Sequence, residues 1–231
     1  MLETKHGLQN NLHIVERPTH PVRVSEIEKK RVNLNLGHIA GTGEFPKDVV
    51  YEGLERSAYE ATHDSLTGLL NRRGLDQVYS RVLGEKNREG GKLDRAIIVF
   101  DIDGFKKLND TQGHQAGDAL LARLAESWAR SLKFRQDDVV ARLGGDEFVL
   151  LVDTSEKGNA NRHLRDQEEV IAGTRRHVEE EALVVGSELG LSFDGISSGA
   201  AVCSPDKSLE QVLAEADKAM YADKLARKAS R

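Results

Sequence analysis

Apolar positions along this chain fall into two rhythms. Val50, Leu54, Ala58 and Ala61 recur at helical spacing and predict a helix over Lys47–His63. Ala116, Leu120, Leu121, Leu124, Ala125, Trp128 and Leu132 form a wide apolar face and predict a helix over Gln115–Leu132. Leu209, Val212, Leu213, Ala216, Ala219 and Met220 predict another over Ser208–Lys228, and Asp166–Leu189 reads as mostly helical. Between these lie shorter runs of a different kind. Ala96–Ile102 is apolar, β-branched and ends in acids, the pattern of a buried strand. Asp138–Leu143, then Gly144-Gly145, then Glu147–Val152 read as strand, tight turn, strand. Ser192–Cys203 reads as a further strand. Strands interleaved with helices predict an α/β sandwich in which helices cover a single sheet.

The first sixty residues follow neither rhythm for long. Residues 1–24 are polar, carry Pro18 and Pro21, and read as an extended arm. Ser25–Leu36 predicts a short helix, with Ser25 as N-cap and Glu28 closing a capping box. Three glycines and a proline mark residues 37–46 as a linker. The expected division is therefore an N-terminal lead-in, 1–60, and one domain, 61–231.

Composition narrows the class. Of 231 residues 39% are hydrophobic, enough for one core, and 31% are charged. The longest apolar runs, Ala96–Phe100 and Phe148–Val152, are five residues each, whereas a membrane-crossing helix needs about 20. The opening MLETKHGLQNNLHIVERP has no cationic start followed by an apolar stretch, so no signal peptide is expected. A single cysteine, Cys203, excludes an internal disulfide and a cysteine-rich zinc site, and suits a reducing cytoplasm. The net charge of −5 argues against general nucleic-acid binding. A cytoplasmic protein with neither membrane nor nucleic acid as partner is expected.

Two acidic spots stand where structure alone does not ask for them. Asp101 and Asp103 end the most hydrophobic strand, and Asp146-Glu147 occupy the hairpin turn. Carboxylates gathered beside a low-dielectric core repel one another until a divalent cation neutralises them; Mg²⁺ typically takes one or two carboxylates plus substrate phosphates. Taken singly, Asp103 as a helix cap and Asp146 as a turn residue remain open. The segment DIDGFKKLNDTQGHQAGDALL adds more. Backbone N–H groups at Gly104-Phe105-Lys106 would open a short helix, and a helix N-terminus receives phosphate; Lys106 adds a positive charge. Asn109 and Asp118 supply what a purine edge needs. A carboxylate accepts from guanine N1–H and its exocyclic amine, a donor pair adenine lacks.

Four ordered motifs carry a resemblance to a known family. Gly144-Gly145-Asp146-Glu147-Phe148 stands within ARLGGDEFVLL; HDSLTGLLNRRGL runs from His63 to Leu75; FDIDGFKKLNDTQGHQAGDALL runs from Phe100 to Leu121; ADKAMYADK closes from Ala216 to Lys224. Over about residues 60–228 the chain resembles the GGDEF domain, the diguanylate cyclase that condenses two GTP into cyclic di-GMP. The resemblance implies a central, mostly antiparallel sheet of about five strands flanked by helices, with the GGDEF turn on a β-hairpin. It implies that Asp101, the Ile102 carbonyl and Asp146 hold two Mg²⁺ or Mn²⁺ ions per site, with Asp146 also the proton acceptor for the attacking hydroxyl. Lys106 would stabilise phosphate charge together with Phe105, Asn109 and Asp118 would read guanine, and Lys224 and Lys228 would reach phosphate from the last helix. Asp103, Glu147 and His114 would be structural or would support the site residues from behind.

The chain departs from the family pattern at its close. The family commonly ends with Ala-Lys and, two residues on, Gly-Arg-Asn; here the order is Asp223-Lys224-Leu225-Ala226-Arg227-Lys228-Ala229. Lys228 stands where Arg is usual and Arg227 where Gly is usual. Lys makes no bidentate fork, so the phosphate contact differs there. Each domain is expected to bind one GTP, so a homodimer is the working unit. Arg135 and Asp138 form Arg-x-x-Asp, with five residues between Asp138 and Gly144. In the family this motif resembles the site through which product inhibits; Arg142 is either an added cation there or a surface strand residue. The alternatives are a degenerate domain that only binds GTP or cyclic di-GMP, a mixed cyclic dinucleotide product, and an interaction module.

Overall fold

The computed structural model describes residues 56–89, 94–130, 138–155 and 167–229. The chain divides into two compact units, Met1–Tyr59 and Glu60–Arg231. Within the expected helix Lys47–His63, residues 56–62 are helical. The rest of that helix, the Ser25–Leu36 helix and the 37–46 linker lie outside the described residues.

In the second unit the elements run α1 (Arg72–Glu89), β1 (Arg95–Ile102), α2 (Phe105–Gln112), α3 (His114–Arg130), β2 (Val139–Gly144), β3 (Glu147–Asp153), α4 (Gln167–Glu188), β4 (Ile196–Val202) and α5 (Leu209–Ala229). The sheet order is β2-β3-β1-β4, with every neighbouring pair antiparallel. The mixed fold and the antiparallel sheet flanked by helices agree with expectation. Among the described residues the sheet has four strands rather than about five. The strand expected from Ser192 begins only at Ile196. Residues 191–195 are irregular instead, yet stay bonded to the end of β1: Asp194 N–H donates to the Asp103 carbonyl and Asp103 N–H to the Gly195 carbonyl, with Gly195 at φ 100°.

The expectations leave Arg72–Glu89 unassigned, although Leu75, Val78, Tyr79, Val82 and Leu83 repeat at helical spacing there. Asn71 starts α1 by accepting the Gly74 N–H on Oδ1 at 3.0 Å. α1 and α5 cover one face of the sheet, packing on Ile97, Val99, Val149 and Leu151. The other face carries Ile98, Phe100, Ile102, Phe148, Leu150 and Val152 against α3 and α4. Both faces are therefore buried, which is why β1 and β3 read as unbroken apolar runs rather than alternating ones. Trp128 of α3 is 1% exposed and meets Phe148 edge-to-face, ring centres 4.9 Å apart. The register puts Asp101, at the end of β1, opposite Glu147 on one side and Ser197 on the other. That end of the sheet is where the acids gather. Among the described residues no helix is long and apolar enough to cross a membrane.

Candidate active site

The buried core of β1 forces its polar residues to the strand's end, and the pairing with β3 brings the hairpin turn beside them. Burial raises the Asp146 carboxyl above the ordinary carboxylate value, and the charge of Asp101 raises it further. Glu147 is raised by burial and then by Asp217, Asp101 and Asp146. One cation answers this charge from the last helix. Lys224 Nζ lies 2.5 Å from Asp101 Oδ1. Burial pulls its ammonium down, but the bond to Asp101 together with the charges of Asp101, Asp103 and Asp146 outweighs that and its pKa is raised. Asp101, Asp146 and Lys224, proposed separately from sequence, thus belong to one cluster. Ile102 closes β1 with its side chain 2% exposed.

Asp103 has a different place. It is 7% exposed, and Ser197 Oγ donates to its Oδ1 at 2.8 Å, so it ties β1 to β4 from inside. Gly104 then turns the chain at φ 76°, where a β-carbon would stand 2.9 Å from Asp194 Oδ2. It leads into α2 with no side chain capping the first turn. The N–H groups that open α2, at Phe105 and Lys106, are those a helix leaves without internal partners. The Lys106 side chain is exposed.

Asn109 carries an unusual feature. Its Oδ1 is buried with no hydrogen-bond partner. It is wedged against α3, since a β-carbon on Gly117 would lie 2.0 Å from it. A buried acceptor left unpaired costs on the order of 1–3 kcal/mol. Asp118, the next residue after Gly117, is exposed.

Sequence reasoning left Arg142 between two roles, and the structure assigns it a third. Its Nη1 donates to Asp64 Oδ1 at 2.8 Å, while Nε and Nη2 donate to the Gly145 carbonyl at 3.0 and 2.7 Å. Arg142 therefore clips the GGDEF turn to the HDSLTGLLN loop. That loop also holds β2 directly, the Arg142 N–H donating to the Leu70 carbonyl at 2.8 Å. Asp64 accepts from Thr67 N–H and Oγ1 at 2.9 and 2.6 Å on the same oxygen. Burial pushes the Asp64 carboxyl up, but bonds from Thr67 and Arg142 outweigh it and hold it below its ordinary value. The loop's Asp and Thr at a spacing of three was the available signal.

Asp138 Oδ1 accepts the Asp153 N–H at 2.7 Å, closing the base of the hairpin. Arg135 and the Lys228 side chain lie outside the described residues.

The family model for the diguanylate cyclase, GGDEF domain, matches residues 61–230. The chain belongs to the GGDEF domain family. Among curated proteins it is 34% identical over 169 residues to the diguanylate cyclase DosC of Escherichia coli, covering 72% of this chain and 34% of that protein. It is 33% identical over 167 residues to the diguanylate cyclase DgcS of Shewanella oneidensis, covering 72% of this chain and 51% of that one. The chain thus spans about a third of the length of DosC and half of DgcS. Among solved structures it is similar to the coiled coil and GGDEF domain of DgcB from Caulobacter crescentus in complex with c-di-GMP. That match has a TM-score of 0.62 at 27% identity and covers 86% of this chain and 94% of that one. A sensory box/GGDEF family protein from the same organism matches with a TM-score of 0.57 at 31% identity, covering 71% and 99%.

Proposed function

We propose that this chain is a diguanylate cyclase that joins two GTP into cyclic di-GMP with release of two pyrophosphates. The observation that carries the reading is Asp146, lifted by burial and by Asp101 at the mouth of the sheet. Such a pair at neutral pH calls for a cation. The donors fit Mg²⁺ or Mn²⁺, being hard oxygens only: Asp101, Asp146 and the Ile102 carbonyl would hold it, with substrate phosphates completing the shell. When bound, the metal supplies charge neutralisation and orients the two reacting oxygens. The chain's own residues do the rest. The N–H groups of Phe105 and Lys106 and the Lys106 ammonium receive the phosphates. Asn109 and Asp118 read the guanine edge, Asp118 accepting from its N–H groups. Asp146 accepts the proton of the 3′-hydroxyl as it attacks the α-phosphorus of the other GTP. Lys224, already at Asp101, meets charge on the phosphates, as does Lys228 one helical turn on.

One domain holds one GTP, so two copies must face each other and a homodimer is the working unit. Cyclic di-GMP is read as feedback inhibitor at Arg135 and Asp138; DgcB is a relative whose structure contains c-di-GMP. A cytoplasmic location, where GTP is available, belongs to the same reading. The test is incubation of the purified chain with GTP and Mg²⁺. Pyrophosphate and a cyclic dinucleotide are expected, with specific activity rising with protein concentration. GTP bound but not consumed would replace the reading with that of a binding module.

A further inference from the structure

The last helix meets the sheet through a polar network that the proposed chemistry does not use. Asp223 is at its centre. Its Oδ2 accepts the backbone N–H of Ser198 at 3.1 Å and Arg227 Nε at 2.9 Å. Its Oδ1 lies 3.4 Å from Arg175 Nη2. Arg175, from α4, donates Nε to Ser198 Oγ at 2.7 Å and Nη2 to the Ser198 carbonyl at 3.0 Å. Arg227 reaches Glu179 Oε1 of α4 at 2.5 Å. Both backbone polar groups of Ser198 are thereby engaged, and α5 is tied to α4 and to β4 together.

The position of Ser198 gives this network its significance. Ser198 is fully buried and pairs with Phe100, one residue from Asp101. The residue after Asp223 is Lys224, whose ammonium contacts Asp101. A helix advances about 1.5 Å and turns about 100° per residue, so holding Asp223 on Ser198 fixes where the Lys224 stem leaves the helix. Gly199 sets the remaining coordinate. A β-carbon there would lie 2.1 Å from Met220 N and 2.2 Å from the Ala216 carbonyl, so α5 rests directly on the strand backbone. Gly199 fixes the height of the helix, and Asp223 fixes its rotation and slide. Asp223 and Arg227 stand where the family's closing pattern has Ala and Gly, which could make neither bond.

We propose that Asp223 is a positioning residue, holding α5 in the register that delivers Lys224 to Asp101. The inference rests on the cyclase reading for what Lys224 does there, and on geometry alone for how it gets there. The competing account is that Asp223 and Arg175 only shield the polar edge of β4.

The experiment uses the full chain, without nucleotide or metal, treated with a water-soluble carbodiimide. This reagent joins an amine to a carboxylate already in contact. Peptide mass spectrometry reads the Lys224–Asp101 link against the Lys207–Glu215 link at the other end of α5, whose partners are 2.7 Å apart and about two helical turns before Asp223. In Asp223→Ala the first link should fall severalfold while the second is unchanged. Asp223→Asn, which still accepts the Ser198 N–H, should restore it, and Arg227→Gly should largely keep it. With GTP and Mg²⁺, Asp223→Ala should lose about tenfold in kcat with KM within about twofold. A Lys224–Asp101 link unchanged in Asp223→Ala overturns the proposal and leaves edge shielding as the role. A wild-type chain that shows the Asp223-dependent link but releases no pyrophosphate sinks the cyclase reading instead and leaves the positioning standing.

Discussion

Asp64 and Asp146 flank the same arginine and are in opposite states. Asp64 takes two bonds from Thr67 and one from Arg142, and its carboxyl is held below the ordinary range. Asp146 is raised by burial first and by Asp101 second, with a bond from its own backbone and the charges of Lys224 and Arg142 only partly offsetting them. One carboxylate is satisfied within the chain; the other is kept short of partners. The contrast separates architecture from chemistry in the hairpin. Arg142 spends its guanidinium on the Asp64 loop and the Gly145 carbonyl, which fixes the turn. A fixed turn is what allows Asp146 to be held against Asp101, where a flexible one would swing it into water.

The two aspartates should therefore respond to substitution with opposite signs. Asp146→Asn should lower turnover at least about a hundredfold. It should also raise the melting temperature of the metal-free protein at neutral pH, because a costly charge is removed. Pyrophosphate release and melting followed by the fluorescence of Trp128, the one tryptophan of the chain, check both halves. A lower melting temperature would break the comparison.

Asp64→Ala should do the reverse, costing about 2 kcal/mol of stability for the lost charged hydrogen bonds. Turnover well below the new melting point should be reduced far less than in Asp146→Asn. Denaturant unfolding and initial rates on one preparation measure it. Equal loss of activity in the two variants would mean that the clip from Asp64 through Arg142 is itself needed to hold Asp146 in place.

Next in size is base choice. Asp118→Ala should weaken GTP binding by about 1–3 kcal/mol, since guanine donors lose their acceptor. Competition between GTP and ATP should relax in parallel, and unchanged competition removes Asp118 from the base site.

The pH dependence of metal-free stability sharpens the comparison further. A carboxyl whose folded pKa is depressed contributes stability above its unfolded value that is lost as pH falls through the folded one. Asp64, below its ordinary 3.8, should thus account for part of the loss at the acid limb. A raised carboxyl contributes stability below its unfolded value that is lost as pH rises through the folded one, so Asp146 should account for a decline starting above 3.8. Asp64→Ala should flatten the first limb and Asp146→Asn the second, as seen by melting across pH 2–7.

The smallest effect on basal rate is expected at Arg135→Ala: turnover near wild type, with inhibition by cyclic di-GMP lost. Inhibition that persists, or that competes purely with GTP, would leave Arg-x-x-Asp as a loop, with Asp138 serving the Asp153 N–H.

Much of this molecule was legible along the chain. Ala96–Phe100 and Phe148–Val152 announce strands buried on both faces because only a sheet covered twice tolerates unbroken apolar runs. The acids at Asp101 and Asp146 were legible for the complementary reason, that charge beside such a run needs a purpose. The helix at Arg72–Glu89 is equally written in Leu75, Val78, Tyr79, Val82 and Leu83. The rest depended on residues far apart in sequence. Nothing local to Arg142 says that its partner is Asp64, 78 positions away. Nothing local to Lys224 says that it ends on Asp101 rather than in solvent, and nothing at Asn109 says that Gly117 will close over its oxygen. Periodicity records which side of an element faces the core, since burial acts on each position by itself. Which polar group meets which is set by strand register and by the height and rotation of helices on the sheet, and these exist only once the whole chain has packed.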